Sequence, residues 1–194
     1  MRSGIDSLKN RGLRSFLLES WGFLFKYEKL LVYEFNLNKD LRPIQSLPNL
    51  VLKKGELKDL KEILERERNT LAEFTRYYVD GVSNFYLAYL DQQLANITWI
   101  YLMKDKNRFL KLKPNEAEMK YGVTLPAFRG RNIAPKVYEA ILTQLKKDGF
   151  ESVYGVIRED NLPSCRAVEK LGFREKNRLT HIKFLGIQIS PRPR

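Results

Sequence analysis

The sequence predicts one α/β domain of the α+β type, preceded by an N-terminal helical extension. Three observations favour this class: a chain length that suits one core, neighbouring β-rich runs in its middle, and two amphipathic helices after them. The chain has 194 residues, 43% of them hydrophobic, so it can bury one sizeable core while a second full domain would be cramped. We expect the extension at residues 1–29 and the domain at residues 30–194.

The predicted elements follow from hydrophobic spacing and from turn residues. Helical spacing predicts helices at residues 7–25, 57–78 (with a break near 69–70), 132–148 and 161–171. Runs of β-branched and aromatic residues predict strands at residues 30–35, 49–53, 84–90, 94–103, 117–125, 152–157 and 179–185. Residues 91–93 suit a hairpin turn between two of these strands. Gly149 and Gly172 are typical residues to end the last two helices.

Composition excludes some classes of protein, but it does not identify a binding partner. A net charge of +12 suits nucleic acid, an anionic membrane surface or an anionic cofactor. Taken alone, the charge favours none of these partners strongly. The basic residues are spread along the chain apart from a cluster at residues 170–194, which disfavours a nucleic-acid-binding surface. The single cysteine and single histidine, Cys165 and His181, exclude an internal disulfide and predict a cytoplasmic protein without a metal. The longest apolar stretch, residues 15–33, is interrupted by charges and predicts no transmembrane segment.

The start of the helix at residues 132–148 has the residue types of an anion site. Gly130 lets the backbone turn tightly, Asn132 is a favoured N-cap residue, and Pro135 is tolerated in a first turn. The unpaired amides of that turn would face outward with the helix dipole behind them, and Arg129 and Arg131 would add positive charge. Taken alone, this segment is equally typical of an ordinary capped helix with solvated arginines.

Two motifs together resemble the GNAT superfamily of N-acetyltransferases, which use acetyl-CoA. The family has the pattern P-x-x-R-G-x-G-I-[GA] between a strand and a helix, and this chain has PAFRGRNIA at residues 126–134. The family then has N-x-x-[AS]-x-x-x-Y-x-K-x-G-F, and this chain has NLPSCRAVEKLGF at residues 161–173. The resemblance is clear over residues 85–175. It implies a mixed, mostly antiparallel sheet with splayed central strands, flanked by helices.

The resemblance implies an enzyme that moves an acetyl group from acetyl-CoA to a primary amine by direct attack in a ternary complex. The residues that it implies for acetyl-CoA are Val123, Thr124, Leu125, Arg129, Gly130, Arg131, Asn132, Ile133, Ala134, Asn161, Ser164 and Lys170. Structural roles suit three of them as well: Asn161 as an N-cap, Ser164 in the first turn and Lys170 as a last-turn cation. We favour function for Asn161 and structure for Lys170. The acceptor stays open among a small molecule, an amino sugar and a protein amine, and a homodimer is left open.

Departures from the family pattern concern the chemistry. Asn132 replaces a loop glycine, although asparagine tolerates left-handed geometry, and Val168 replaces the tyrosine that protonates the departing thiolate in many members. Solvent or another tyrosine, Tyr121 or Tyr138, must then serve, and Tyr121 is our candidate. The amine must lose a proton before it attacks, and Glu118 is our candidate base, with a solvated strand residue as the alternative.

Gly122 is unusual within a predicted strand. A bulge there would splay the strand from its neighbour and aim an amide at the thioester carbonyl, where it would stabilise an oxyanion. Mere close packing is the alternative. Alternation places Glu118, Lys120 and Gly122 on one face. It places Met119 and Tyr121 on the other.

Two other functions stay open at this point. A GNAT-like module that binds acyl-CoA with little chemistry would be consistent with Asn132 and Val168. A basic nucleic-acid-binding protein would explain the net charge, and it would show a steep salt dependence. Two measurements distinguish these functions: whether the protein binds acetyl-CoA, and whether it then releases the free thiol in the presence of an amine.

Overall fold

One mixed sheet organises the chain in the computed structural model, which describes residues 25–66, 72–106, 109–184 and 187–188. The strands are β1 (Phe25–Asn36), β2 (Leu50–Lys54), β3 (Phe85–Leu90), β4 (Gln93–Tyr101), β5 (Glu116–Thr124), β6 (Ser152–Arg158), β7 (Arg174–Phe184) and β8 (Ile187–Gln188). The helices are α1 (Leu57–Arg66), α2 (Arg76–Asp80), α3 (Ile133–Lys147) and α4 (Leu162–Leu171), with 3-10 turns at Ala72–Thr75 and Pro126–Phe128.

The strand order is β2-β3-β4-β5-β6-β1-β7-β8. Every pairing is antiparallel except that of β5 with β6, which is parallel. Parallel neighbours need a crossover connection, and α3 supplies it. The expected mixed, mostly antiparallel sheet flanked by helices is therefore confirmed.

The first strand is longer than predicted. It begins at Phe25, which pairs with Phe184 of β7, so residues 25–29 of the predicted extension belong to the sheet. Residues 25–29 join the strand because β7 is long. Its backbone continues to form hydrogen bonds with β1 beyond the apolar run at residues 30–35. The rest of the predicted extension, residues 1–24, lies outside the described residues.

The sheet separates two apolar layers. On one face, Ile141 of α3 and Val168 of α4 pack in a cluster with Met119 of β5. On the other face, Leu60 of α1 packs in a second cluster with Trp99 of β4. We call these the α3/α4 face and the α1 face. Side chains of β5 alternate between them up to residue 120, as the period of a strand requires.

Candidate active site

The pairing of β5 with β6 stops inside the sheet. Met119 and Gly155 form the last recorded pair, although β5 continues to Thr124 and β6 to Arg158. Beyond Met119, the two strands diverge and the β6-facing edge of β5 has no strand beside it in the described part of the chain. We call the resulting gap the cleft. The splay of the central strands that the resemblance implied is thus confirmed.

A β-bulge lies where the cleft begins. The register of β5 against β4 shifts between Lys120 and Val123, so that Tyr121 and Gly122 stand opposite a single residue of β4. Tyr121 adopts a left-handed backbone with φ of 50°, which accommodates the extra residue. Of the two alternatives for Gly122, the bulge is confirmed, and it coincides with the loss of β6 pairing. Close packing holds as well, because a Cβ atom on Gly122 would collide with Tyr138.

The bulge overturns the predicted faces of β5. The Tyr121 ring lies on the α1 face, and the Lys120 Nζ atom is 4.8 Å from its centroid. Tyr121 therefore shares a face with Glu118 and Lys120 and does not lie opposite them. Gly122 instead borders Tyr138 of α3. Strict alternation was wrong here, because the extra residue of a bulge resets the order of side chains along the strand.

Among the strand residues expected to line the cofactor, Thr124 turns its peptide groups to the cleft. The Leu125 N–H donates to the Ala95 carbonyl of β4 at 2.9 Å. Hydrogen-bonded and non-hydrogen-bonded pairs alternate along antiparallel strands, so Val123 also faces β4 while Thr124 faces away from it. The Thr124 carbonyl accepts a hydrogen bond from Arg129 Nε at 3.1 Å. The Thr124 N–H, on the same edge of the strand, points to the cleft.

The loop before α3 presents a continuous run of backbone donors. Among the described residues, the N–H groups of residues 130–134 find no hydrogen-bond acceptor. Gly130 and Asn132 both adopt left-handed φ values, 78° and 57°, and such alternation of backbone conformation curls amides toward a common centre. The positive end of the α3 dipole lies behind them. The loop therefore has the geometry of a phosphate site.

Asn132 does not cap α3 with its side chain. It occupies the N-cap position, as predicted, but it makes no side-chain cap hydrogen bond. Its left-handed backbone directs the side chain away from the first turn, and Asn132 Oδ1 instead accepts a bond from Lys170 Nζ at 3.0 Å. This contact joins the two sequence motifs and holds a cation beside the open amides.

Asn161 and Lys170 of the second motif make different contacts. The Asn161 side-chain oxygen accepts a bond from the Ser164 N–H at 3.3 Å, so it is engaged in capping α4. Lys170, favoured as a structural cation, is the residue whose side chain reaches the loop before α3. Val168 is 3% exposed within the core, and it offers no polar group to the cleft.

Glu118 is completely buried on the α1 face. Its Oε2 atom accepts the Phe109 N–H at 2.9 Å and the Leu110 N–H at 3.2 Å. The carboxylate therefore anchors the loop that follows residue 108 against the sheet. We had considered Glu118 as a solvated strand residue, and this alternative is wrong, because its side chain has no exposed surface. Its role as a general base stays a prediction.

Tyr121 lies under the guanidinium of Arg76, whose Cζ atom is 4.4 Å from the ring centroid. Burial is the main cause that raises the pKa of Tyr121, and the positive charge of Arg76 offsets part of that rise. The phenol therefore stays protonated at neutral pH. Arg76 was not identified from the sequence, because its contact with Tyr121 joins α2 to a distant strand and no motif marks it.

The environment of Cys165 does not suit a nucleophile. Cys165 is buried, and burial is the largest cause that raises the pKa of its thiol, so a nucleophilic thiolate is disfavoured.

Across residues 25–66, 72–106, 109–184 and 187–188, no group of three or more His, Cys, Asp or Glu could hold a metal ion. In the same ranges, none of the helices combines the length and the apolar content of a membrane span.

Comparison with known sequences points to one family. The profile described as "Acetyltransferase (GNAT) family" matches residues 54–173. This range contains the bulge, the loop before α3 and the whole of α4. No curated protein matches the chain.

Solved structures with the same fold include three acetyltransferases. One of the GNAT family from Novosphingobium aromaticivorans is 21% identical, with a TM-score of 0.54, and the match covers 80% of this chain and 63% of that one. A second from Colwellia psychrerythraea is 15% identical, with a TM-score of 0.57 and coverages of 82% and 57%. A GCN5-related N-acetyltransferase from Kribbella flavida is 13% identical, with a TM-score of 0.58 and coverages of 90% and 64%.

These relationships concern the fold, because the identities are low. The chain spans 57% to 64% of the length of these three structures.

Proposed function

Because this chain belongs to the GNAT acetyltransferase family, we propose that it transfers the acetyl group of acetyl-CoA to a primary amine by direct attack in a ternary complex. One observation carries the proposal: the open N–H groups of residues 130–134 lie close to the end of a cleft in which β5 has no β6 partner. CoA combines an anionic pyrophosphate with an extended chain that contains amides. The loop and the cleft edge suit these two parts.

The loop before α3 would hold the pyrophosphate. Backbone donors at a helix N-terminus bind phosphate without a dedicated side chain. Arg129, Arg131 and Lys170 add positive charge around these donors, and the Lys170 contact with Asn132 keeps one cation in place. Asn132 replaces the family's glycine at a left-handed position, which it adopts with φ of 57°, so the loop can keep its curvature.

The open edge of β5 would hold the pantetheine chain. An extended ligand with amides adds to a sheet edge as an extra strand does, and the Thr124 N–H faces the cleft for that purpose. Two residues earlier, Gly122 lies in the bulge, at the point where β5 loses its pairing with β6. We assign to its amide the hydrogen bond to the thioester carbonyl, where it would stabilise the oxyanion formed by attack.

The acceptor would approach from the α1 face. Helices α3 and α4 cover the opposite face of the sheet, whereas Tyr121 and Arg76 lie beside the bulge on the α1 face. Glu118, on the same face, stays our candidate for the base that accepts the amine proton, either directly or through water. For Tyr121, which we predicted as the proton donor to the thiolate, we now propose a role in positioning the acceptor through its protonated hydroxyl.

Melting curves and a free-thiol assay on the full chain test the proposal. We expect acetyl-CoA to raise the melting temperature, and we expect thiol release with at least one amine from a panel of small amines, amino sugars and peptides. A melting shift without thiol release on any amine would favour a module that only binds acyl-CoA. A shift with a short duplex but not with acetyl-CoA would favour nucleic-acid binding.

Glu118→Gln separates the anchoring role of this residue from a catalytic one. The glutamine keeps an oxygen that can accept the Phe109 and Leu110 N–H groups, but it cannot take up a proton at neutral pH. We expect kcat to fall by about 100-fold or more, with a stable fold. The pH profile of kcat checks the assignment. An unchanged kcat and an unchanged profile would mean that Glu118 only anchors the loop.

A further inference from the structure

Tyr138 of α3 brings a hydroxyl group to the start of the cleft. The residue is 8% exposed, and its side chain packs directly against the backbone of the bulge. A Cβ atom placed on Gly122 would overlap the Tyr138 hydroxyl and would lie 3.1 Å from its Cζ atom. Gly122 itself is exposed. The hydroxyl therefore borders the residue whose amide we assign to the thioester carbonyl.

This hydroxyl has no partner within the protein. Among the described residues, no hydrogen bond is formed by the Tyr138 side chain, and burial alone raises the pKa of Tyr138 to about 12. The hydroxyl oxygen itself is not fully enclosed, so a group in the cleft can reach it. A donor without a protein acceptor beside an open strand edge is available to a ligand.

We propose that the Tyr138 hydroxyl donates a hydrogen bond to the sulfur atom of CoA. The inference rests on the proposed function, because it uses the same cleft. The carbonyl oxygen of a thioester and its sulfur are bonded to one carbon, so a group that borders Gly122 lies next to the sulfur when the Gly122 amide holds the oxygen. Val168, where the family pattern has a tyrosine, is buried and apolar, and Tyr138 supplies a donor from another helix.

The hydrogen bond acts when the thioester breaks. The amine nitrogen forms a bond to the carbonyl carbon, the carbon–sulfur bond breaks, and its electron pair remains on sulfur. Tyr138 keeps its proton and stabilises the negative charge on sulfur, since hydrogen bonds to charged acceptors are stronger than those to neutral ones. The proton of the attacking nitrogen passes to solvent by way of the base, and the released thiolate takes a proton from water according to the pH.

Tyr121 suits this task less well than Tyr138. Its ring lies on the α1 face beneath Arg76. Tyr138 instead borders Gly122 from the α3/α4 face.

Binding of CoA and of desulfo-CoA to the full chain tests the inference without turnover. The two ligands differ only at sulfur, and alkaline pH increases the share of CoA that is thiolate, which accepts a stronger hydrogen bond than the neutral thiol. We expect the wild type to bind CoA about tenfold more tightly than desulfo-CoA at pH 9, and Tyr138→Phe to reduce this preference to within about twofold. Calorimetric titration measures both dissociation constants.

Tyr86→Phe is the matched control. Tyr86 is 6% exposed in the same apolar cluster, but it lies on β3 and does not border the cleft. We expect it to keep the full preference for CoA, and both variants to melt near the wild type. If Tyr138→Phe also keeps the preference, the inference is overturned and the proposed function stands. If neither ligand binds to the wild type, the proposed function fails, and this inference with it.

Discussion

Arg129→Glu is expected to abolish the rise in melting temperature that acetyl-CoA causes. Arg129 precedes the open N–H run, and its Nε atom holds the Thr124 carbonyl at 3.1 Å. A glutamate there removes this bond to the end of β5 and places a negative charge beside the expected pyrophosphate. Repulsion between like charges next to the α3 dipole opposes the binding that the loop amides favour.

Thermal melting of the full chain gives the size of this effect. A ligand at 100 times its dissociation constant stabilises a protein by about 2.7 kcal/mol, which corresponds to about 5 to 11 °C in a domain of this size. The wild type should show a shift on this scale, and Arg129→Glu should show none. Lys147→Glu makes the same change of charge at the far end of α3, an exposed position, and it should keep the shift. A full shift in Arg129→Glu would contradict the placement of the phosphates.

Gly122→Ala is expected to impair both stability and turnover. The added methyl group overlaps the Tyr138 hydroxyl, and Tyr138 is held in the core of the α3/α4 face. Overpacking of this kind costs about 1–3 kcal/mol, equivalent to a melting temperature lower by about 2 to 12 °C. The strain also displaces the bulge, and a misplacement of about 1 Å at a reacting group can lower the rate by about 100-fold.

Two variants show whether this effect arises from the contact itself. Gly155→Ala adds the same methyl group to β6, where a Cβ would meet nothing within 4 Å, so its melting temperature should stay near that of the wild type. Gly122→Ala combined with Tyr138→Phe should recover part of the lost stability, because the hydroxyl is removed while the ring remains. Equal melting temperatures for the wild type and Gly122→Ala would refute the close approach of Tyr138 to the bulge.

The sequence predicts features that depend on local backbone chemistry. A glycine within a β-rich run indicates an irregular strand, and Gly122 does lie in a bulge. Glycine and asparagine in the first motif indicate a tight turn before α3, and Gly130 and Asn132 do take left-handed conformations there. Such features are predictable because a few neighbouring residues determine them.

Contacts between distant elements are not predictable in this way. The face of Tyr121 depends on which residue the bulge inserts, and a pattern of period two cannot contain that information. The bond between Lys170 and Asn132 joins residues that are 38 positions apart. The packing of Tyr138 against Gly122 depends on how α3 crosses the sheet. In each case, tertiary packing decides the outcome and no local preference marks it.

Backbone amide spectra recorded during titration with acetyl-CoA test the binding mode most directly. At 22.9 kDa, the chain is small enough for assigned nitrogen–proton correlation spectra. We expect the largest shifts at the amides of residues 130–134 and at Gly122 and Thr124, because these donors would gain acceptors. Shifts confined to other parts of the chain, or no shifts at saturating acetyl-CoA, would contradict an acetyl-CoA site in the cleft between β5 and β6.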